Sequence, residues 1–259
     1  MLKQISDKKA LIHCITNPIS INDCANLVLA FGAKPIMAAH PQEVEGITKN
    51  AQALALNLGN FEDVRAQSMR LSARSAKEHG IPCILDIVGV ACSAIRLQFA
   101  REIVETYRPT VIKGNISECK AFYGLTSHAH GVDAASDDQE DVYQSVTWLK
   151  ELALHTGCIV VCSGKMDIIT DGEQAVIIRN GCEMMGVVTG TGCMLNVAIA
   201  TFLASFEPYE ACLKATCYYE VAAEKTKAQG PGTFHMHFMD EIYQLTEEDE
   251  AFFKTEVVR

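Results

Sequence analysis

The sequence predicts an α/β fold in which helices cover both faces of a mainly parallel sheet. Short apolar runs of strand length alternate with longer amphipathic segments along the chain. Parallel strands need a crossover between them, so this alternation favours repeated strand–helix–strand units. We expect a single domain over residues 1–259, because 49% of the residues are hydrophobic and can form one large core.

The first part of the chain contains four predicted strand–helix pairs. Apolar runs predict strands at Ala10–Ile15, Pro35–Ala38, Ala53–Leu58 and Pro82–Val88. Amphipathic segments predict helices at Asn22–Ala30, Pro41–Asn50, Phe61–His79 and Ala94–Tyr107. Gly32 and Gly80 follow two of these helices as stop signals, and Pro41 suits a helix start.

The same alternation continues, and a hairpin and a helical last third then follow. Strands are predicted at Thr110–Ile112 and Cys158–Cys162, and helices at Ser117–Tyr123 and from the acidic stretch Asp137–Asp141 through His155. Asp171-Gly172 is a hairpin signal between strands Asp167–Thr170 and Ala175–Arg179. Met185–Val188 has β-forming character, and the rest of the last third is mostly helical.

Composition argues against several classes of function. The net charge is −10 and no cluster of lysine and arginine is present, which argues against nucleic-acid binding. No run of about 18 apolar residues predicts a membrane span, and the polar segment Met1–Lys9 lacks a signal-peptide core. The eleven cysteines include no C-x-x-C pair and several lie in apolar runs, which indicates a reducing cytoplasm and no disulfide framework.

The glycine-rich segment Thr189–Cys193 is the most informative part of the chain. It precedes the apolar run Met194–Leu203, so its glycines leave backbone N–H groups uncovered at a helix N-terminus. No lysine follows Gly192, so the segment is not a Walker P-loop. Cys193 lies in the first turn, where the pKa of a thiol tends to fall. The segment suggests phosphoryl transfer; the competing interpretation is a glycine-rich connection with a buried, inert cysteine.

Two loops at predicted strand ends carry charged residues. Asp86 follows a buried strand, where a carboxylate is costly unless it is paired or holds a cation. The next strand leads into Lys113-Gly114-Asn115, and Glu118 follows three residues after Asn115, as in a capping box. If adjacent parallel strands bring Asp86 and Glu118 together, the two carboxylates could hold Mg²⁺ beside a polyphosphate, with Lys113 near the phosphate charge.

The remaining polar loop residues have ordinary structural explanations as well as functional ones. Asn22 can cap the next helix or bind a polar edge of a small ligand. Met37 is compatible with plain core packing, and Ser163 with a simple turn or a phosphate contact. The pairs His128-x-His130 and His235-x-His237 have no further ligand at metal spacing, so we assign them as surface or packing histidines.

Six motifs, taken in order along nearly the whole chain, resemble those of the hydroxyethylthiazole kinase family. They are His13–Asn17 with Asn22 and Ala25-Asn26, Pro35–Ala38, Asp86–Val90, Lys113-Gly114-Asn115-x-x-Glu118, Gly190–Cys193 and Gly230–Phe234. The chain departs from the family pattern at Ile87, Ala91-Cys92 and Ile116, which surround the charged loops.

The resemblance implies a fold, an activity and an assembly. The fold is a ribokinase-like three-layer sandwich. The activity is ATP- and Mg²⁺-dependent phosphorylation of the primary alcohol of 4-methyl-5-(2-hydroxyethyl)thiazole, a salvage step toward thiamine. The assembly is a homotrimer with active sites at subunit interfaces.

The resemblance also implies roles for individual residues. Asn22, Met37 and Gly190 correspond to substrate contacts. Lys113, Asn115 and Ser163 correspond to ATP contacts. Asp86 and Glu118 correspond to the Mg²⁺ side of the site. Gly190, Gly192 and Cys193 correspond to the anion hole, and we expect Cys193 to position the alcohol and to accept its proton only if it is a thiolate.

Two other functions stay open at the level of sequence. The first is a kinase for another small heterocyclic alcohol, such as a hydroxymethylpyrimidine. The second is a non-catalytic sensor of a nucleotide or metabolite on the same fold. A dehydrogenase is disfavoured, because no G-x-G-x-x-G follows an early strand with an acid about twenty residues further on.

Overall fold

The computed structural model describes residues 2–125 and 141–258. Its centre is a nine-stranded sheet in the order β2-β1-β3-β4-β5-β6-β7-β8-β9. The strands are β1 Leu11–Ile15, β2 Lys34–Ile36, β3 Ala53–Asn57, β4 Cys83–Asp86, β5 Val111–Asn115, β6 Ile159–Ser163, β7 Asp167–Thr170, β8 Ala175–Ile178 and β9 Thr255–Val258. The pairs from β2 to β6 are parallel, and those from β6 to β9 are antiparallel.

Helices form a layer on each face of this sheet. They are α1 Lys3–Lys8, α2 Ile21–Ala30, α3 Val44–Asn50, α4 Asp63–His79, α5 Ala94–Tyr107, α6 Ile116–Tyr123, α7 Val142–Thr156, α8 Thr191–Leu203, α9 Pro208–Lys225 and α10 Pro231–Gln244. One buried apolar cluster lies against α2, α8, α9 and α10, and a second lies against α3 to α7. The predicted α/β sandwich with a mainly parallel sheet is confirmed.

Alternation of side chains explains why both faces of the sheet are covered. Along β3, Ala53 and Ala55 belong to the cluster with α8, whereas Leu54 and Leu56 belong to the opposite one. A strand buried on both faces reads as a continuous apolar run, as this one does. Smaller side chains on the α8 face let that apolar helix pack closely against the sheet.

Most predicted elements are present, with ends shifted by one to three residues. Pro41 does not begin a helix: it lies in a turn before α3, closed by the bonds from the N–H groups of Glu43 and Val44 to the carbonyl of His40. Helix α7 is capped by Asp141, and the predicted acidic helix start at residues 137–140 lies outside the described residues.

The predicted β character of Met185–Val188 is wrong. Residues Glu183–Val187 form a 3₁₀ helix instead. The contact is local: the single proton of the Thr191 hydroxyl is shared between the carbonyls of Met185, at 3.0 Å, and Val188, at 3.3 Å, which holds this segment folded back on the start of α8. The chain therefore turns tightly as it enters α8.

All eleven cysteines are free thiols, and all except Cys92 and Cys182 are buried. They serve as small apolar residues of the core. Among the described residues, no helix combines the length and the hydropathy needed to cross a membrane.

Candidate active site

Polar residues end three adjacent parallel strands at one edge of the sheet. Asn57 ends β3, Asp86 ends β4, and Lys113 lies in β5 two residues before its end. The register pairs Asn57 with Asp86 and Asp86 with Lys113. Ligands of parallel α/β sheets bind beyond the carboxyl ends of the strands, so this edge is the expected place for a site.

Lys113 and Asp86 form a buried ion pair at the centre of this edge. Lys113 Nζ is 3.1 Å from Asp86 Oδ2, and the two side chains are 4% and 1% exposed. Burial raises the pKa of the Asp86 carboxyl, while the Lys113 ammonium and the Asn57 amide act in the opposite direction. Burial alone would lower the pKa of Lys113, but the charges of Asp86 and Glu118 raise it. Lys113 therefore keeps its positive charge.

Asp86 has one oxygen without a partner. Its Oδ2 accepts hydrogen bonds from Asn57 Nδ2 at 2.9 Å and from Lys113 Nζ at 3.1 Å. Its Oδ1 is buried and has no hydrogen-bond partner in the part of the chain that the structure describes. A buried carboxylate oxygen without a donor is costly and is a natural ligand for a hard cation.

Glu118 closes the capping box that its spacing predicts. Its N–H donates to Asn115 Oδ1, and its own Oε2 accepts from the N–H of Asn115. The other oxygen, Oε1, accepts from the N–H of Gly89 at 2.7 Å and so ties the loop after β4 to α6. Burial, with a contribution from the charge of Asp86, raises the pKa of Glu118 to about 7.

Gly114 is required by close packing beneath this loop. A Cβ atom at Gly114 would lie 2.8 Å from Ile87 Cγ1. Ile87, one of the departures from the family pattern, is fully buried and covers the strand at that point. This contact explains the glycine between Lys113 and Asn115.

The N-terminus of α8 presents uncovered backbone N–H groups. Gly190 is the N-cap residue, with φ +93°, and no side chain caps the helix. The N–H of Met194 bonds to the carbonyl of Gly190, so the three preceding amides, those of Thr191, Gly192 and Cys193, lie ahead of the first intrahelical bond. Together with the helix dipole, they can bind an anion.

This helix N-terminus faces the ion pair. A Cβ atom at Gly192 would lie 3.8 Å from Lys113 Nζ. Cys193 Sγ lies 3.4 Å from Asn57 Nδ2, which also binds Asp86. The uncovered amides, the lysine and the aspartate thus surround one space, with chemistry suited to a phosphoryl group and its cation.

The Cys193 thiol differs from its sequence-based expectation. Burial and the charge of Asp86 raise its pKa, although Ser20, Lys113 and Asn57 oppose this shift. The lowering expected at a helix N-terminus is therefore outweighed, because Cys193 is only 8% exposed. Without a ligand, the raised pKa keeps Cys193 as a neutral thiol.

The predicted substrate contacts come from the N-terminus of α8, the first turn of α2 and the residue after β2. A Cβ atom at Gly190 would lie 3.0 Å from Ser20 Cβ, immediately before α2. Asn22 is exposed in the first turn of α2 and is not its cap, since Ser20 occupies the N-cap position. Met37 follows β2, is partly buried and packs on the α8 side of the core.

Ser163 lies beside Asn115 at the same edge of the sheet. The two residues are register partners at the ends of β6 and β5, and Ser163 Oγ donates to the carbonyl of Gly114. The turn after Ser163 is closed by Asp167 Oδ1, which accepts from the N–H of Gly164.

Sequence reasoning missed two residues that build the site, Asn57 and Arg65. Asn57 is a polar residue at the end of an apolar strand, directly before a Leu-Gly pair, and this position was the sequence signal that could have marked it as a site residue. Arg65 is buried and donates to the carbonyls of Thr16, Asn57, Gly59 and Asn60, which fixes the loops after β1 and β3. Because its partners are backbone carbonyls, no sequence motif marks it.

Of the two histidine pairs, only His235 and His237 lie among the described residues, and each contacts a non-metal partner. His235 Nε2 lies 3.1 Å from Asp23 Oδ1, and His237 Nδ1 bonds to the carbonyl of Lys227. His128 and His130 lie outside the described residues. Within residues 2–125 and 141–258, no group of three or more His, Cys, Asp or Glu side chains is arranged to hold a metal.

Comparison with known proteins identifies relatives along almost the whole chain. The model of the hydroxyethylthiazole kinase family matches residues 2–248. Hydroxyethylthiazole kinase 2 of Clostridium botulinum is 42% identical over 250 residues, which cover 95% of this chain and 94% of that protein. Hydroxyethylthiazole kinase of Methanosarcina acetivorans is 40% identical over 250 residues, with the same coverage.

Solved structures agree with these sequence relatives. The structure of a hydroxyethylthiazole kinase protein from Pyrococcus horikoshii superposes with a TM-score of 0.90 at 31% identity, over 99% of this chain and 97% of that chain. A Staphylococcus aureus pyridoxal kinase in complex with AMP-PCP and pyridoxal shares the fold, with a TM-score of 0.69 at 12% identity over 96% and 98% of the two chains. This chain therefore belongs to the hydroxyethylthiazole kinase family.

Proposed function

We propose that this protein transfers the γ-phosphoryl group of ATP to the primary alcohol of 4-methyl-5-(2-hydroxyethyl)thiazole, a salvage step toward thiamine in the cytoplasm. Family membership supports the reaction. The observation that carries the proposal is the space where the α8 N-terminus meets the Asp86–Lys113 pair. Phosphoryl transfer needs positioning and charge neutralisation more than covalent chemistry, and this space supplies both.

The chain's own residues stabilise the transferring group in this proposal. The amides of Thr191, Gly192 and Cys193 donate to the oxygens on which charge accumulates. Lys113 adds a positive charge that its buried partner holds in place. Cys193, as a neutral thiol, orients the alcohol for in-line attack, and the loose transition state reduces the need for a strong base.

The residues around Asp86 fit a magnesium ion. Asp86 Oδ1 is buried without a donor, which is the kind of ligand that Mg²⁺ takes. Both Glu118 oxygens already accept backbone N–H bonds, so we propose that Glu118 acts on the ion through bound water. When bound, the ion would neutralise phosphate charge.

We assign the two sides of the site as follows. Asn115 and Ser163, adjacent at the ends of β5 and β6, contact ATP together with Lys113. Asn22, Met37 and Gly190 contact the thiazole. Support for the second assignment is the approach of Gly190 to Ser20, which brings the α8 N-terminus next to the start of α2.

We further propose a homotrimer whose interfaces cover the sites. Ile19 and Val187, 67% and 64% exposed, flank the two segments that meet at Gly190. Apolar side chains exposed beside a site favour burial by a partner. Analytical ultracentrifugation of wild type and Ile19→Asp tests this: a trimer that the substitution dissociates supports it, and a monomeric wild type contradicts it.

A coupled assay of ADP release tests the reaction itself. Thiazole alcohol with ATP and Mg²⁺ should give ADP and the phosphate ester, detected by mass spectrometry. Faster turnover of a hydroxymethylpyrimidine would replace the proposed substrate, and nucleotide binding without turnover of any alcohol would indicate a sensor.

Two substitutions test the anion hole. Gly192→Val adds a branched side chain facing Lys113 Nζ and should abolish turnover, whereas Cys193→Ala should lower kcat by a smaller factor. Gly232→Val is the matched control, because Gly232 also lies in a first helical turn and a Cβ atom there contacts nothing. An equal loss from Cys193→Ala and Gly192→Val would contradict the minor role of the thiol.

A further inference from the structure

Asn57 lies between two functional groups, one from the sheet and one from a helix packed on it. It is the last residue of β3 and is fully buried. Asp86 reaches it from β4, and Cys193 reaches it from α8, 136 residues further along the chain. The Asn57 amide therefore joins the carboxylate side of the site to the thiol side.

The orientation of the Asn57 amide is fixed by its neighbours. Oδ1 accepts from the N–H of Gly59 at 2.8 Å. Nδ2 faces Asp86 Oδ2 at 2.9 Å, and this oxygen also faces the Lys113 ammonium. A flipped amide would place its oxygen against a carboxylate and its NH₂ against an N–H group, so this flip is excluded.

Both protons of Nδ2 are therefore committed. One is donated to Asp86 Oδ2 and the other to Cys193 Sγ at 3.4 Å. A donor on one side of the sulfur makes the sulfur an acceptor there, so the single thiol proton must point elsewhere. Ser20, which also interacts with Cys193, lies at the start of α2 on the substrate side.

We infer that Asn57 is a positioning residue for phosphoryl transfer: its amide holds Asp86 and Cys193 at a fixed separation and aims the thiol at the acceptor alcohol. This inference rests on the proposed function, since it uses the assigned roles of Asp86 and Cys193. It adds the group that couples the phosphate side of the site to the alcohol side. A misplacement of either side by about 1 Å is enough to reduce turnover strongly.

Two substitutions separate this role from a purely structural one. Asn57→Asp retains the size of the side chain and an acceptor for the Gly59 N–H, but it removes the donor to Cys193 Sγ, because the one proton it can hold is shared with the Asp86 carboxylate at 2.9 Å. Asn57→Leu removes the donors and the acceptor. If Asn57 acts only by stabilising the turn at Gly59, Asn57→Asp should keep wild-type kcat while Asn57→Leu loses it.

Asn196→Leu is the matched control. Asn196 is also a fully buried amide, on α8 one turn after Cys193, and it donates to the carbonyl of Leu56 beside Asn57. It contacts neither Asp86 nor Cys193 by a hydrogen bond, and its own Oδ1 has no partner among the described residues. The same change of amide to apolar group is therefore made in the same core, without loss of a hydrogen bond to Asp86 or Cys193.

The experiment compares transfer to the alcohol with transfer to water. For each variant, ADP release is measured with and without the thiazole alcohol, and KM is determined for both substrates. ATP affinity is measured by calorimetry, and stability is measured as the midpoint of urea unfolding. We expect Asn57→Asp and Asn57→Leu each to lower kcat for the alcohol by about tenfold or more, to change KM and ATP affinity less than threefold, and to raise the share of ATP hydrolysed by water.

Asn196→Leu should keep the wild-type kcat for the alcohol and the wild-type share of ATP hydrolysed by water. Retention of wild-type kcat and of the alcohol-to-water ratio by Asn57→Asp would overturn the inference. The inference would also be overturned if kcat fell in all three variants in proportion to the fall in their urea midpoints, because the loss would then reflect stability alone. If wild type itself transfers no phosphoryl group to the alcohol, the proposed function fails, and that result is distinct from a failure of the Asn57 role.

Discussion

Replacement of Lys113 by methionine tests the charge balance of the site in the absence of any ligand. Lys113→Met retains the length of an apolar side chain and removes the ammonium that lies 3.1 Å from Asp86 Oδ2. Asp86 is then a buried carboxylate whose only donor among residues 2–125 and 141–258 is Asn57. A buried carboxylate without a counter-charge takes up a proton rather than remain ionised.

The magnitude follows from proton linkage. In the unfolded chain Asp86 ionises with a pKa of about 3.9, so holding it protonated in the fold costs about 1.4 kcal/mol for every pH unit above that value. Relative to wild type, the free energy of unfolding should fall by up to about 4 kcal/mol at pH 7 and about 1.5 kcal/mol at pH 5. Because the pKa of Asp86 in the folded variant lies above its value in the unfolded chain, Lys113→Met loses stability as pH rises. This electrostatic penalty disappears below about pH 4, where Asp86 is protonated in both states.

Urea unfolding at pH 5 and pH 7, without nucleotide, measures both values. Lys254→Met is the control, because the side chain of Lys254 is 57% exposed beside Glu224 and an exposed pair contributes about 0–1 kcal/mol. Its penalty should be small and equal at the two pH values. A penalty for Lys113→Met that does not change between pH 5 and pH 7 would refute the reasoning, since it would mean that the protonation of Asp86 does not depend on Lys113.

Three further substitutions test other parts of the fold. Burial and the charge of Asp167 raise the pKa of Glu220 to about 12, so this carboxyl costs the folded state more stability as pH rises. The free energy of unfolding of Glu220→Gln, measured with urea at pH 6 and pH 9, should therefore increase relative to that of wild type by up to about 1.4 kcal/mol per pH unit. Gly190→Ala places a Cβ atom on a residue with φ +93°, 3.0 Å from Ser20 Cβ. It should lower the free energy of unfolding by about 1–2 kcal/mol, measured by thermal unfolding, and raise KM for the alcohol. Arg65→Met leaves four carbonyls without their donor and should lower the free energy of unfolding by about 3 kcal/mol in urea.

The parts of the structure that local chemistry determines were predictable from the sequence. The Asn115-x-x-Glu118 spacing predicted the capping box, and Asp171-Gly172 predicted the β7–β8 hairpin. The alternation of apolar runs and amphipathic segments predicted the parallel sheet and its two helical layers. In each case the signal and the structure involve residues a few positions apart, or a pattern repeated along the chain.

The parts that depend on distant contacts were not predictable. Strand β9 pairs with β8 across about eighty residues, and the predicted helical last third did not include it. Asn57 acquires its partners only when β4 and α8 are in place. Asp167 and Glu220, two buried carboxyls, meet across β7 and α9, and Asp167 Oδ2 and Glu220 Oε2 have no other partner among the described atoms. No spacing rule relates any of these residues.

Helix α8 explains how the site is held in position. Every residue from Cys193 to Leu203 is buried, so the helix is packed on all sides, unlike an amphipathic surface helix. Its C-terminal three turns lie in the core against β3 and β4, where close packing leaves little room for displacement. Only the first turn reaches the edge of the sheet, and there the helix has uncovered N–H groups that no neighbouring side chain caps. The apolar run that packs the last three turns into the core therefore also fixes these N–H groups relative to Lys113 and Asp86, which is the arrangement that the proposed phosphoryl transfer uses.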